Sequence, residues 1–375
     1  MSTSFLLIGD VHLRTDENTN DTVGALEFAE KLAVDRRVDA VLFAGDIYEK
    51  ASTPHERAMF AVLLDLLPVP IYGVRGNHDA HEDLDLFNHI PGNTWAEIPA
   101  IVAAGRVDLL LVPWPDRSYL ASNGHTGEAG DRAGSAALAA MLRGMVATRQ
   151  SPDRPLVVLA HLQVLGAISS SAQPLIGKAI EATLGDLQDL GAAAVVLGHV
   201  HKPQQLAPGI EYIGSLTCHD FGEEGEQKRV GVFTVEDDGS ASVEWVPVPC
   251  RRWVTIEARP VMSANGGDCS YQYIGETPHL EPDEAAGLNL RYRYICTEEQ
   301  QHLFDHAEIE RRFAGAHTLK IVPQVERAER VRAAEVAAAR SPEEKLAAWG
   351  VATGTDITEA HVGKLHELES EVSND

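Results

Sequence analysis

The chain has 375 residues, which at ~150 residues per domain predicts two or three domains. Hydrophobic residues make up 44% and charged residues 23%, close to globular averages, which excludes wholesale disorder. Its 31 Lys and Arg against 56 Asp and Glu leave a formal charge of −25, which disfavours nonspecific affinity for nucleic acid or anionic membrane.

Short β-branched runs alternate with amphipathic segments through the first half. Strands are predicted at Phe5–Gly9, Ala40–Ala44, Ile71–Arg75, Val107–Pro113, Leu156–Ala160 and Ala193–Leu197. Helices are predicted at Thr22–Arg36, Pro54–Leu67, Ser135–Gln150 and Gly177–Leu190. Thr53 as N-cap and Pro54 in the first turn start the second of these. In that helix Met59, Phe60, Leu63, Leu64 and Leu67 form an apolar stripe that reads as core. The alternation predicts an α/β architecture. Ser118–Gly134, rich in Gly, Ser and Asp, reads as a surface loop. From Glu211 the pattern becomes antiparallel β, with strands at Val230–Glu236 and Ser242–Val248 around an Asp237-Asp238-Gly239 turn. Pro247-Val248-Pro249 marks a boundary. Beyond it, strands are expected at Trp253–Ala258 and Leu288–Ile295, and helices at Glu299–Phe313 and Glu326–Arg340. One or two short acidic helices are expected from Ser341 onward.

Cys218, Cys250, Cys269 and Cys296 lie far apart with no C-x-x-C pair, which argues against structural zinc and for free thiols in a reducing compartment. Met1–Ser4 has no basic n-region, and Phe5–Ile8 is too short for a signal sequence. No stretch reaches the ~20 apolar residues that span a bilayer. The expectation is a cytoplasmic protein with no membrane segment.

Five short segments concentrate the reactive side chains: Gly9-Asp10-Val11-His12, Gly45-Asp46, Gly76-Asn77-His78-Asp79, Ala160-His161 and Gly198-His199-Val200-His201. Four directly follow a predicted strand, where open α/β sheets bind ligands. Asp10 and His12 are two residues apart, as are His199 and His201, so each pair can point to one side of an extended segment. Two Asp, one Asn and four His, with His78 left over, make an oxygen and imidazole set. It suits Mn²⁺, Fe²⁺ or Zn²⁺ better than calcium. Seven donors exceed the need of one ion with open positions but fit two ions sharing a carboxylate, as in phosphatases and nucleases. A lone G-D or H-x-H is ordinary turn chemistry; five such segments in this order are not.

This order of motifs resembles the calcineurin-like metallophosphoesterase superfamily, and within it the SbcD-type nucleases of double-strand-break repair. The finer likeness lies in His161-Leu162-Gln163-Val164-Leu165-Gly166-Ala167 and in Leu197-Gly198-His199-Val200-His201-Lys202-Pro203-Gln204. It continues through Tyr212-Ile213-Gly214-Ser215, Phe221-Gly222-Glu223 and Lys228-Arg229-Val230-Gly231. Arg14 and the run Ile47-Tyr48-Glu49-Lys50 depart from the usual pattern.

The resemblance implies an α/β/β/α sandwich of two mixed sheets, followed by a small α+β capping domain and C-terminal helices. As segments these are a nuclease domain at 1–248, a capping domain at 249–325 and a partner-binding segment at 326–375. It implies one metal on Asp10, His12, Asp46 and His201, and a second on Asp46, Asn77, His161 and His199. Mn²⁺ is the first candidate, with Mg²⁺, Fe²⁺ and Zn²⁺ behind it. His78 would protonate the leaving oxygen, with Asp79 orienting it. The implied activity is DNA exonuclease, and endonuclease at hairpins or ends with an SbcC-like SMC-family ATPase, acting as a homodimer. The alternative is a phosphodiesterase or phosphatase for small molecules such as cyclic nucleotides. Arg14, Arg75, Lys202, Lys228 and Arg229 are the cations available for phosphate contact, although each singly reads as an ordinary solvated charge. The capping segment adds basic spots at Arg251, Arg252, Arg291, Arg293, Arg311 and Arg312.

Overall fold

The computed structural model describes residues 2–116, 130–170, 180–262, 269–274, 280, 281, 283–326 and 334–372. The chain divides into two compact units, the first being Met1–Ile256, Pro278–Arg291 and Arg312–Lys320. Two six-stranded sheets carry this first unit.

In one sheet β1 (Ser2–Ile8), β2 (Ala40–Phe43), β3 (Ile71–Val74) and β4 (Asn93–Ala96) run parallel. The antiparallel pair β13 (Arg229–Glu236) and β14 (Ala241–Pro247) extends it on the β1 side. In the other, β6 (Val107–Val112), β7 (Leu156–His161), β10 (Ala194–Gly198) and β12 (Ile210–Tyr212) run parallel between antiparallel edges, β5 (Ala100–Ala104) and β11 (Gln204–Ala207). A short pair, β8 (Gln163–Val164) and β9 (Glu181–Ala182), follows β7.

Strand alternation builds the layers, because successive side chains leave opposite faces of a sheet. Phe5 and Leu7 join Leu42, Leu109, Leu159 and Val196 in the core between the sheets. Leu6 and Ile8 face the other way, against Ala25, Leu26 and Ala29 of α1 (Thr19–Arg36) and Phe60 and Leu64 of α2 (Pro54–Asp65). On the second sheet Leu110, Val158 and Val195 meet Leu138 and Leu142 of α3 (Gly130–Ala147) and Leu187 of α4 (Leu184–Gln188). The result is the expected sandwich of helices, two mixed sheets and helices. Helix α2 starts at a capping box in which Thr53 and Glu56 satisfy each other's backbone groups. Its stripe is core: Phe60 and Leu64 are buried, and Met59, Leu63 and Leu67 pack against them.

The first unit also includes late segments of the chain. Arg251 Nε donates to Asp21 Oδ2 at 2.8 Å, Asn289 Nδ2 to Asn18 Oδ1 at 3.2 Å, and His317 Nε2 to Glu17 O at 2.8 Å. All three partners lie on α1 or its approach.

The second unit is Glu257–Thr277, Tyr292–Arg311 and Ile321–Asp375. A four-stranded sheet runs in the order β16-β15-β17-β18, with β15 at Trp253–Met262, β16 at Cys269–Tyr273, β17 at Asn289–Thr297 and β18 at Thr318–Glu326. Within this unit Tyr294 stacks on Phe304 at 3.9 Å, and Arg293 pairs with Glu257 at 2.7 Å. Two C-terminal helices, α7 (Pro342–Thr353) and α8 (Glu359–Val372), follow the five-residue α6 (Ala334–Ala338). Ser341 caps α7 in a second capping box. Among the described residues no helix is long and apolar enough to cross a membrane.

Several expectations are corrected. The helix expected over Gly177–Leu190 begins only at α4, because Thr183 and Asp186 form a capping box there and Glu181–Ala182 pair with β8 instead; residues 177–179 lie outside the described residues. Glu299–Phe313 is a 3-10 turn, Glu298–Leu303, then α5 (His306–Arg312), broken where Phe304 turns into the core. Glu326 ends a strand that was not anticipated, since its Pro323 is tolerated only because β18 is an edge. Of Glu326–Arg340, residues 327–333 lie outside the described residues. Of the loop expected at Ser118–Gly134, 118–129 lie outside them and 130–134 are helical.

Phe60 is fully buried and touches four rings, Phe43, Tyr48, Phe87 and Trp95, at centroid distances of 5.3 to 6.0 Å. Phe60→Ala is expected to cost about 3–5 kcal/mol, read as a lower urea midpoint at unchanged slope.

Candidate metal centre

The sandwich brings the carboxyl ends of β1, β2, β3, β7 and β10 together, and the five reactive segments leave the sheets there. The backbone bends sharply to do so. Among the described residues five non-glycine positions have positive φ, and three are His12 (48°), Asp46 (48°) and His199 (98°). Such strain persists where surrounding structure fixes it, commonly at functional sites. Gly45 and Gly76 make the crowding tolerable: a Cβ on the first would overlap the His161 ring, and on the second the Asp46 carboxylate.

All seven predicted metal donors converge. Asp46 Oδ2 lies 3.7 Å from His12 Nε2 and 3.3 Å from His161 Nε2. Asn77 Oδ1 is 3.0 Å from His161 Nε2 and 2.8 Å from His199 Nδ1. His201 Nε2 is 2.9 Å from His12 Nε2. Asp10 Oδ1 accepts from His199 N at 2.7 Å, while its buried Oδ2 has no hydrogen-bond partner among the described residues.

The outer nitrogens set the proton positions. His161 Nδ1 meets Ala44 O at 2.7 Å, and a carbonyl only accepts, so Nδ1 carries the proton. His201 Nδ1 meets Glu223 Oε1 at 2.6 Å, and His12 Nδ1 lies 3.1 Å from Glu49 Oε2. With Nδ1 of His161 and His201 protonated, their Nε2 lone pairs point inward, toward the oxygens of Asp46 and Asn77 and toward His12 Nε2. That arrangement repels itself unless a positive charge stands inside it. An outer oxygen that orients an imidazole for an inner cation is the usual setting of metal-bound histidine. Together with the orphaned Asp10 Oδ2, the donor set fits divalent metal ions.

Without a cation the charge falls on protons. Burial would lower His161, but Asp46 and Asp10 beside it hold its pKa up to about 9. Burial opposes the charge on Asp46, yet His161 and His12 keep its carboxyl well below the usual carboxylate range. Burial and the neighbouring His161 push His199 down to about 3. His199 is thus a neutral donor.

The two predicted catalytic residues separate. His78 is exposed at the mouth; its backbone N donates to Asp46 Oδ1 at 2.8 Å and its Nδ1 to Glu49 O at 2.7 Å. Asp79 does not orient that ring. Its buried carboxylate accepts from Tyr48 N at 3.0 Å and Gly76 N at 2.9 Å, so it braces the turn that carries Asn77 and His78. Burial and the charge of Asp46 push its pKa up to about 7.

Sequence reasoning gave no role to Glu49, Trp114, His219 or Glu223. Trp114 lays its ring 4.7 Å from that of His199, and His219 packs against both His12 and His201, at 4.8 and 5.2 Å. Glu223 Oε2 pairs with Lys228 Nζ at 2.8 Å, and Glu226 flanks the ammonium at 2.9 Å. Burial opposes the Glu223 charge, but His201 and Lys228 hold its carboxyl well down. Only the Phe221-Gly222-Glu223 run hinted at it.

The candidate phosphate-binding cations are mostly occupied. Lys228 is 1% exposed, and Arg75 is buried between Asp116, Trp114 O and Gly76 O. Arg229 pairs with Glu211 at 3.4 Å and stacks on Trp245 at 3.6 Å; Arg14 sits between Asp16 and Glu49.

Residues 3–203 match the calcineurin-like phosphoesterase family, and the chain belongs to that family. It is therefore a phosphoesterase, a hydrolytic enzyme whose fold implies divalent metal ions. Within the family it is similar to the SbcD component of nuclease SbcCD from Rhodobacter capsulatus, with 28% identity over 249 residues, 57% of this chain and 60% of that protein. The chain thus spans less than two thirds of the length of that curated relative. Among solved structures it is similar to a dimetal phosphatase from Danio rerio (12% identity, 66% of this chain, 99% of that one, TM-score 0.43). It is also similar to purple acid phosphatase PPD1 from yellow lupin seeds, Lupinus luteus (13% identity, 67% of this chain, 53% of that one, TM-score 0.44).

Glu223→Gln leaves Lys228 with Glu226 as its remaining carboxylate. The substitution is expected to cost about 3 kcal/mol, measured by chemical denaturation of the metal-free protein.

Proposed function

We propose that this chain is a two-metal DNA phosphodiesterase of SbcD type. The observation that carries the two-metal part is the single oxygen, Asp46 Oδ2, standing between His12 Nε2 and His161 Nε2 amid inward lone pairs. Asp10, His12, Asp46 and His201 would hold one ion, and Asp46, Asn77, His161 and His199 the other, with Mn²⁺ the first candidate. When bound, the ions would withdraw charge from the phosphoryl oxygens and activate water at neutral pH.

The remaining work falls to the chain. His78 donates Nδ1–H to Glu49 O, so its Nε2 is the atom free to face substrate. As an imidazolium it gives the Nε2 proton to the leaving oxygen when the P–O bond breaks. Asp79 keeps the turn rigid, and Glu223 keeps the His201 ring aligned.

The choice of DNA as substrate is supported by the similarity to the SbcD component of SbcCD and by the motifs from His161 to Gly231. A cytoplasmic setting, a homodimer and an SbcC-like ATPase partner belong to the same reading. Residues 1–248 would form the nuclease segment, 249–325 the cap and 326–375 the partner-binding segment. Val62 on the outer face of α2 and Leu66 at its C-cap are exposed and available to a second copy; Trp349 and Val351 of α7 are available to the ATPase.

The charge of −25 and the internal pairing of Arg75, Lys228 and Arg229 favour a second reading, a small diester as substrate. An assay on blunt and hairpin duplexes in Mn²⁺ and in Mg²⁺, with and without the ATPase, separates the two. Metal-dependent cleavage of the duplex is expected. Turnover of cyclic nucleotides that exceeds turnover of DNA ends would establish the second reading instead. His78→Ala is expected to retain both ions by calorimetric titration while kcat falls about 10²–10⁴-fold. Loss of metal stoichiometry in that variant would overturn the division between ligands and acid.

A further inference from the structure

Resting on the nuclease reading above, we propose that Leu165 and Ile168 form a substrate wall that takes the apolar sugar and base surface of a DNA strand. Gln204 is the positioning residue that fixes this wall.

Both side chains face solvent, Leu165 at 62% and Ile168 at 45% exposure, yet the backbone beneath them is held at every step. Leu165 N donates to Ala182 O at 2.9 Å, and Ala167 N to Val164 O at 3.1 Å across Gly166, whose φ is 92°. Ile168 is gripped on both polar groups by one carboxamide. Its N donates to Gln204 Oε1 at 3.1 Å, and Gln204 Nε2 donates to Ile168 O at 2.8 Å, as a neighbouring strand would. Two large apolar side chains are thus presented to water on a fixed loop.

The loop borders the metal centre. Ser169 and Ser170, the next residues, line a cavity of about 250 Å³ together with His199, His201, Asp220 and Glu223. Two of those are proposed metal ligands. Gln204 itself lies three residues beyond His201, so the same short segment carries the ligands and the clamp.

The chemistry of the wall selects its occupant. Asp220 repels a further phosphate, Glu223 and Lys228 offset each other, and Arg75 and Arg229 are paired internally. Of the candidate cations only Lys202 is left without a carboxylate partner among the described residues, so much of the grip on the strand falls to its uncharged surface, the sugar edges and base faces. Apolar contact removes area from water and releases no counterions, so its contribution does not track salt as phosphate contacts do. A fixed loop also loses little conformational freedom on binding.

The test compares wild type, Leu165→Ser/Ile168→Ser and Gln204→Leu on a labelled duplex and on bis(p-nitrophenyl) phosphate, each at low and high salt. The exposed pair tolerates serine without threat to folding. The double variant is expected to raise KM for DNA roughly tenfold, by the same factor at both salts, with a much smaller change in kcat. Gln204→Leu is expected to move KM the same way. For both variants the effect on the small diester is severalfold less. An unchanged KM for DNA in the serine variant overturns the wall, and equal losses on both substrates for Gln204→Leu overturn the positioning role. Wild type that hydrolyses the small diester but no DNA sinks the nuclease reading itself, before any variant is compared.

Discussion

Everything at the mouth of the sandwich depends on an unfavourable arrangement: several lone pairs aimed at one small volume. His12, His161 and His201 are each turned inward by an oxygen behind them, and Asp46 is placed where the rings meet. No packing preference would assemble such a cluster. It is tolerated because the sheets are rigid and their strand ends supply the strained backbone at His12, Asp46 and His199. Positive charge at the centre turns the repulsion into attraction, so fold and metal chemistry are two sides of one constraint.

The acidic character of the chain has a local logic. The carboxylates around the centre do different jobs: Asp46 sits between the rings, Asp79 braces a turn, Glu49 backs His12 and Glu223 aligns His201. Lys228 is sunk among them as a counterweight, and it cannot also serve a polyanionic substrate. The cost of so much buried negative charge is borne by backbone donors such as Gly76 N and His78 N.

Much of this was legible in the sequence, for a physical reason. The donors sit at strand ends, four of the seven directly after a glycine, and both strand periodicity and glycine punctuation are local signals. Asp10 and Asp46 could therefore be found without knowing the fold. Glu49 and Glu223 could not, because a lone glutamate in a turn looks the same whether it meets water or an imidazole 22 residues away. Lys228 and Arg75 misled for the converse reason: a cation reads as solvated until its partners are placed. The segmentation also failed locally: a capping box at Thr183 overrode helical periodicity, and β18 carried no strand expectation.

The first compact unit is not continuous along the chain. Asp21, Asn18 and Glu17 near its beginning find their partners in Arg251, Asn289 and His317. On the ribosome, the approach to α1 therefore emerges long before the groups that hold it. The two sheets and the donors can assemble during translation, but the bonds that hold the approach to α1 wait until His317 has been made. The catalytic unit is thus closed by contacts 230 to 300 residues apart in sequence, which form after the sheets and the donors are in place.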